Sequence, residues 1–154
     1  MARITCRTPS TGKPLSINLS NVGTDFTTII EANDFSVPDT SSKYPTRDPL
    51  DTTRAIRPGE VFFITPLVAK NKDTVTRWLE IRLVTEDGVI VDVAKVFVPK
   101  EDSVFVPLQG RSIFKRNPNV SSGDKIQIRA EVANIFDIWA SVEERASNEH
   151  IGVE

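Results

Sequence analysis

The chain contains very few of the residues on which enzyme chemistry and disulfide-based folds depend. Its 154 residues include one cysteine, Cys6, and one histidine, His150. A lone cysteine excludes an internal disulfide. One cysteine and one histidine also cannot form a Cys/His zinc site or a Cys-His nucleophile unless the two ends of the chain meet. We therefore expect no catalytic residue, no metal site and no cofactor, and a protein that is not an enzyme.

Long apolar runs and an excess of charge of one sign are also missing. No stretch approaches the roughly 18 apolar residues of a membrane-spanning helix, and the first residues have no apolar core of a signal peptide. The 19 Lys and Arg residues against 21 Asp and Glu residues give a net charge of −2, so the field that draws proteins to nucleic acid is absent. We expect a protein folded in a cytosol, without a signal peptide, that binds neither membranes nor nucleic acid.

The sequence has enough apolar residues for one folded domain, since 39% of them are hydrophobic. Changes in composition and in hydrophobic pattern along the sequence divide that domain into four parts. These are an N-terminal segment with one strand near its end (residues 1–31), an extended Pro-rich arm or loop (32–60), a β-sandwich core (61–146) and a C-terminal tail (147–154).

The arm has four prolines and no sustained hydrophobic period. Proline fixes φ and removes a backbone donor, so this stretch is not expected to form a regular central strand. It is too rich in apolar side chains for a flexible spacer. We expect it to lie on its own sheet or on a neighbouring subunit, with Phe35, Tyr44, Leu50 and Ile56 as contact residues.

The rest of the chain alternates between apolar and polar residues, the period of half-buried strands. Strands are predicted at 26–31, 61–70, 77–84, 89–98, 103–108, 125–132 and 136–143. Turn residues 86–88 and 133–134 predict two hairpins, and Pro107 places the 103–108 strand at an edge or a strand end. No 12-residue segment has a helical period, so we predict an all-β protein, an antiparallel β-sandwich or jelly roll.

Two tryptophans and a basic cluster are the remaining candidates for contact. The alternation turns Trp78 and Trp139 outward, where an indole needs a cover, either a partner or the chain's own arm. The basic cluster consists of Arg111, Lys115 and Arg116. It is interpreted as a solvated face or as salt-bridge partners for a neighbouring subunit, in preference to a phosphate or single-strand site.

Residues 61–145 resemble small β-sandwich virion proteins of tailed bacteriophages. The resemblance lies in a strand that ends in an asparagine, a strand of alternating polar residues, a Gly-Asp that opens the penultimate strand, and a closing strand that ends Ala-Ser-Val-Glu. In this chain these are Val61 to Asn71, Arg77 to Val84, Gly123-Asp124 and Phe136 to Glu143.

The resemblance implies a non-catalytic structural subunit that decorates a capsid or belongs to a neck, tail or fibre. Its partners would be other virion proteins and further copies of itself, and its location the virion, assembled in the host cytoplasm. The alternative is a carbohydrate- or receptor-binding β-sandwich, in which Trp78, Trp139 or Tyr44 stacks on a sugar ring.

Overall fold

The fold is built from strands alone in the part of the chain that the structure describes. In this computed structural model these are residues 13–38, 54–57, 59–117 and 119–146. They form twelve strands: β1 (Lys13–Leu19), β2 (Thr27–Glu31), β3 (Phe35–Pro38), β4 (Arg54–Arg57), β5 (Gly59–Phe63), β6 (Leu67–Asn71), β7 (Arg77–Val84), β8 (Ile90–Val98), β9 (Ser103–Val106), β10 (Ser112–Phe114), β11 (Lys125–Ala130) and β12 (Phe136–Ala146). The described ranges contain no helix that could cross a membrane.

The strands form two packed antiparallel sheets and a small ribbon, which confirms the predicted all-β sandwich. One sheet has four strands in the order β2-β11-β7-β8. The other has six, in the order β10-β5-β12-β6-β9, with β1 also paired to β12. The ribbon consists of β3 and β4.

Strand β12 organises the six-stranded sheet. One of its edges pairs with β1, from Leu19 opposite Ile138 to Lys13 opposite Glu144. Its other edge is shared by β6, near the start of β12, and β5, near its end. β9 then pairs with β6, and β10 with β5, on the far side.

The core lies between the two sheets and follows the predicted alternation. Ile126, Ile128 and Ala130 are buried on β11, and so are the inward residues of β12, namely Phe136, Ile138, Ala140 and Val142. Leu79 and Ile81 of β7 meet them, while Leu83 is half-buried at the rim. Alternate residues of each strand are buried because successive side chains of an extended chain point to opposite faces.

The first predicted hairpin is confirmed and the second is wrong. β7 and β8 pair antiparallel across a turn in which Gly88 has a φ of 86°, a value that favours glycine. β11 and β12 lie in different sheets. The link between them bonds to other segments, since Glu131 N–H donates to Trp78 O and Asn134 N–H donates to Val22 O, so the chain crosses the sandwich there. Val132, predicted inward, is exposed in this link.

The predicted strand at 61–70 is in fact two strands. Four residues separate Phe63 from Val68, whereas two separate their partners Val142 and Trp139. The extra residues bulge out, and Thr65 Oγ1 accepts the Ser141 N–H at 2.9 Å in place of a backbone carbonyl. Pro66, which has no N–H, ends the break.

Four strands were not predicted, namely β1, β3, β4 and β10, and the arm is described only in part. β1 joins the six-stranded sheet, so residues 13–31 hold two strands where one was expected, and β10 is three residues long. In the Pro-rich stretch β3 and β4 pair with each other and not within either large sheet. Tyr44 and Leu50 lie outside the described residues.

A fully buried asparagine at the end of β6 links that strand to the loop that follows it and to the end of β8. Asn71 Nδ2 donates to the carbonyls of Val75 and Val98, both at 2.9 Å, and Oδ1 accepts the Asp73 N–H at 2.9 Å. Next to it, a hydrogen bond from the Arg77 guanidinium holds the pKa of Asp73 below its ordinary value. All the polar atoms of the Asn71 side chain therefore have partners, as burial requires.

Replacing Asn71 should destabilise the protein strongly. Asn71→Leu keeps the volume but removes the partners of the Asp73 N–H and of the Val75 and Val98 carbonyls, the last in a buried hydrogen bond, so we expect a loss of about 3 kcal/mol in the free energy of unfolding. Asn18→Leu, at an exposed strand position, is the matched control and should change it by less than about 0.5 kcal/mol. Urea unfolding followed by tryptophan fluorescence measures both, and equal effects would contradict a special role of Asn71.

Candidate functional site

The outer face of the six-stranded sheet carries a row of apolar side chains. Trp139 of β12 lies opposite Val68 of β6, and Val68 lies opposite Phe105 of β9. Directly opposed residues of antiparallel strands have Cβ atoms about 4.5–5.5 Å apart, so the three side chains form a continuous strip. Phe105 is 71% exposed and Trp139 43%. We call Val68, Phe105 and Trp139 the aromatic row.

Charged groups border the aromatic row at one end. Asp137, two residues before Trp139, accepts a hydrogen bond from Lys72 Nζ at 2.9 Å. That bond, together with one from the Asn21 N–H, holds the pKa of Asp137 below its ordinary value. An apolar centre with a polar rim is the usual composition of a protein contact surface.

The outer face of the four-stranded sheet has a different character, because cations lie over its aromatic rings. Lys95 Nζ is 4.6 Å from the ring centre of Trp78, which is half-buried. Arg129 extends over the Phe26 ring at 4.6 Å and forms an ion pair with Glu80 at 2.6 Å. The outward position predicted for Trp78 thus agrees with the register, but side chains of its own sheet cover part of the ring.

The basic cluster does not form one surface. Lys115 is 2% exposed, and its Nζ donates to Asn117 O at 2.9 Å and pairs with Asp34 at 3.4 Å. Arg116 lies over the Phe114 ring, 4.3 Å from its centre, and Arg111 is exposed. Within the part of the chain that the structure describes, Lys115 is therefore buried and held by partners of its own chain.

The buried Lys115 belongs to a dense junction at one end of the sandwich. Its backbone N–H donates to Gly59 O, and a Cβ on Gly123 would come within 2.6 Å of Lys115 Cα, so only glycine fits there. Asp124 accepts the Glu86 N–H and the Phe114 N–H through its two carboxylate oxygens. The Gly-Asp pair singled out in the sequence thus opens β11 and joins it to the segments that contain Ala32, Glu86 and Phe114.

The remaining predicted contact residues belong to the arm. Phe35 lies in β3 opposite Arg57, and Ile56 lies in β4 opposite Ser36. The described backbone thus places both in the ribbon, whereas Tyr44 and Leu50 lie outside the described residues.

Sequence reasoning missed Phe105, the most exposed large apolar residue of the described ranges. Alternation within Ser103–Val106 places Phe105 opposite in direction to Val104 and Val106, so its outward position could have been inferred. What the sequence did not reveal is that β9 pairs with β6, which aligns Phe105 with Val68 and Trp139.

A metal site on the described part of the chain would require a set of suitable ligand side chains. No group of three or more His, Cys, Asp or Glu side chains in these ranges is placed to hold a metal ion. Cys6 and His150 both lie outside the described residues.

No protein-family model matches the sequence, and no curated protein matches it. Several solved structures are similar in part, including the following three. The structure of the xylanase 10B CBM22-1 and GH10 modules of Clostridium thermocellum with xylohexaose is 10% identical over 90% of this chain and 27% of that one (TM-score 0.36). The coat protein of Tobacco streak virus is 10% identical over 97% of this chain and 96% of that one (TM-score 0.32).

The third is a structure of the Gt strain of infectious bursal disease virus, which is 12% identical over 96% of this chain and 36% of that one (TM-score 0.32). The chain thus spans about a quarter of the xylanase chain and about a third of the bursal disease virus chain. At these identities and TM-scores the likeness says nothing about function.

The different surroundings of Lys115 and Arg111 lead to opposite expectations for their removal. Lys115→Ala deletes a buried stem and its hydrogen bonds, so we expect a loss of about 2 kcal/mol in the free energy of unfolding. Arg111→Ala should change it by less than about 0.5 kcal/mol, because that side chain is exposed. Chemical denaturation of the two variants tests this, and a negligible effect of Lys115→Ala would place that residue among the surface charges after all.

Proposed function

We propose that the protein is a non-enzymatic structural subunit of a virion that acts by association with other virion proteins. The aromatic row supports this proposal most directly. Exposed apolar strips on the outer face of a sheet mark contact surfaces, and aromatic residues supply much of the binding energy of such contacts. An association function needs a rigid frame and an apolar contact face, and it needs no titrating nucleophile.

The resemblance of residues 61–145 to tailed-phage β-sandwich proteins supports a phage particle as the setting. Within it the subunit would decorate a capsid or belong to a neck, tail or fibre, and it would be assembled in the host cytoplasm. Burial of apolar surface, at about 25 cal/mol per Å², would drive association, and the charged groups beside the row would fix its orientation.

A carbohydrate site on the four-stranded sheet is the second candidate. It is favoured by the convergence of Trp78 with Glu80, Lys95 and Arg129, since sugar sites combine an aromatic platform with several polar groups. Lys95 over the indole would have to move aside for a sugar ring to stack. Glycan-dependent quenching of fluorescence that disappears in Trp78→Phe and persists in Trp139→Phe would support this alternative over assembly.

The proposal predicts that loss of the aromatic row removes the protein from particles. We expect Phe105→Thr/Trp139→Thr to lower the copy number per particle at least tenfold, since each truncation at a contact centre costs on the order of 1–2 kcal/mol. Threonine keeps the strand preference of both positions. Quantitative mass spectrometry of gradient-purified particles from cells that produce them is the measurement.

Val89→Thr/Val132→Thr replaces two exposed apolar residues outside the six-stranded sheet, in the β7–β8 turn and in the link between β11 and β12; it is the control and should leave the copy number unchanged. Circular dichroism and thermal melting verify that the double threonine variant is folded. If the wild-type protein is not found in the purified particles, the virion proposal is overturned. If the folded double threonine variant is incorporated as well as the wild type, the role of the aromatic row is overturned.

A further inference from the structure

Strand β8 is an unusually long and apolar sheet edge. It has nine residues, where strands average five or six, and among the described strands it pairs only with β7. Phe97 is 61% exposed, Ile90 54% and Val91 44%. Open backbone donors and acceptors beside exposed β-branched side chains are a template for pairing with another strand.

The edge strands of the other sheet are shorter than β8, and β1, the longest of them, has seven residues and includes Pro14. β9 has four residues and is followed by Pro107, and β10 has three residues. β8 is interrupted only by a bulge at Val93 and carries the charges of Asp92 and Lys95. Charges and bulges on an edge strand can prevent it from pairing with another strand. Whether they prevent pairing or select one partner depends on where they lie along the strand.

The bulge gives the two charges a common face. Ile81 lies opposite Ala94 and Arg82 opposite Asp92, which leaves Val93 without a partner on β7. In a regular strand, residues three apart point to opposite faces of the sheet. Because of the extra residue, Asp92 and Lys95 both point to the outer face, opposite Arg82 and Glu80.

We infer that β8 pairs antiparallel with β8 of a second copy, about a two-fold axis between Val93 and Ala94. Residues on each side of this axis that share a face then lie opposite each other: Asp92 with Lys95, Val91 with Val96, and Ile90 with Phe97 of the second copy. Both the ion pair and the apolar pairs form twice, once in each direction, as a symmetric dimer requires.

Charge complementarity selects this register and this occupant. An axis through Asp92 would place the two Asp92 carboxylates opposite each other, and an axis through Lys95 would do the same with the two ammonium groups. The strand is thus self-complementary in one register. This inference deepens the proposed function and rests on it, since it identifies a second copy as one partner, but it uses a different surface from the aromatic row.

Charge reversal tests the pairing. The wild type should sediment with twice the 17.1 kDa mass of the chain. Asp92→Lys places two lysines opposite each other across the axis, and Lys95→Asp places two aspartates there, so each single variant should weaken the dimer at least tenfold. An equimolar mixture of the two single variants restores opposite charges at both positions, and it should form a heterodimer of wild-type affinity.

The mixture separates dimerisation from folding. Asp92 and Lys95 also lie opposite Arg82 and Glu80 within the chain, so each single variant loses some stability, but mixing cannot restore an intrachain contact. Asp25→Lys, before the strand at the opposite edge of the sheet, is the matched control and should dimerise normally. Sedimentation velocity over a concentration series measures all of these, with the mixture followed by native mass spectrometry.

A monomeric wild type at all concentrations would overturn the inference, as would a dimer unaffected by either single variant or a mixture that does not recover. These outcomes are distinct from a failure of the proposed function. Dimerisation is measured on the isolated protein, whereas incorporation is measured in particles. A charge-dependent dimer absent from particles would refute the virion role alone, and a particle protein without charge-dependent pairing would refute the β8 contact alone.

Discussion

The backbone ladder along β12 is the constraint on which the rest of the structure depends. β1 occupies one edge of this strand, and β5 and β6 share the other, so segments from both halves of the chain are held in one sheet. Its inward residues fill the centre of the core, and its outward residue Trp139 begins the aromatic row. Because side chains alternate between the two faces of a strand, the register of β12 determines both which residues enter the core and which residues face outward.

Buried polar side chains hold the ends of strands β6 and β10 in place. Asn71 joins the end of β6 to the carbonyls of Val75 and Val98, and Lys115 joins the end of β10 to Asp34. Each is buried, and each bonds to more than one other segment of the chain. Such groups raise the cost of alternative packings, because any other arrangement would leave them unpaired.

The two proposed contact surfaces arise from this frame in different ways. The aromatic row exists because β9 pairs with β6 in a register that aligns Phe105 with Val68. The self-complementary edge of β8 exists because one bulge residue, Val93, changes which side chains share a face. The aromatic row lies on the face of one sheet and β8 at the edge of the other, so the two contacts do not compete. One subunit has room for a different virion protein on the row and for its own copy on β8.

The sequence by itself determined the local structure, since alternation is a property of neighbouring residues. It placed β7 to the residue and the start of β11, predicted the turn at Gly88, and identified Trp139 as an outward residue. Tertiary structure decided what depends on distant partners. It placed β11 and β12 in different sheets, divided one apolar run at Ile64–Pro66, and buried Lys115. The neighbouring residues in the sequence are the same whether a charged or aromatic side chain is buried or exposed. Its burial is determined by the pairing of strands that are distant in the sequence.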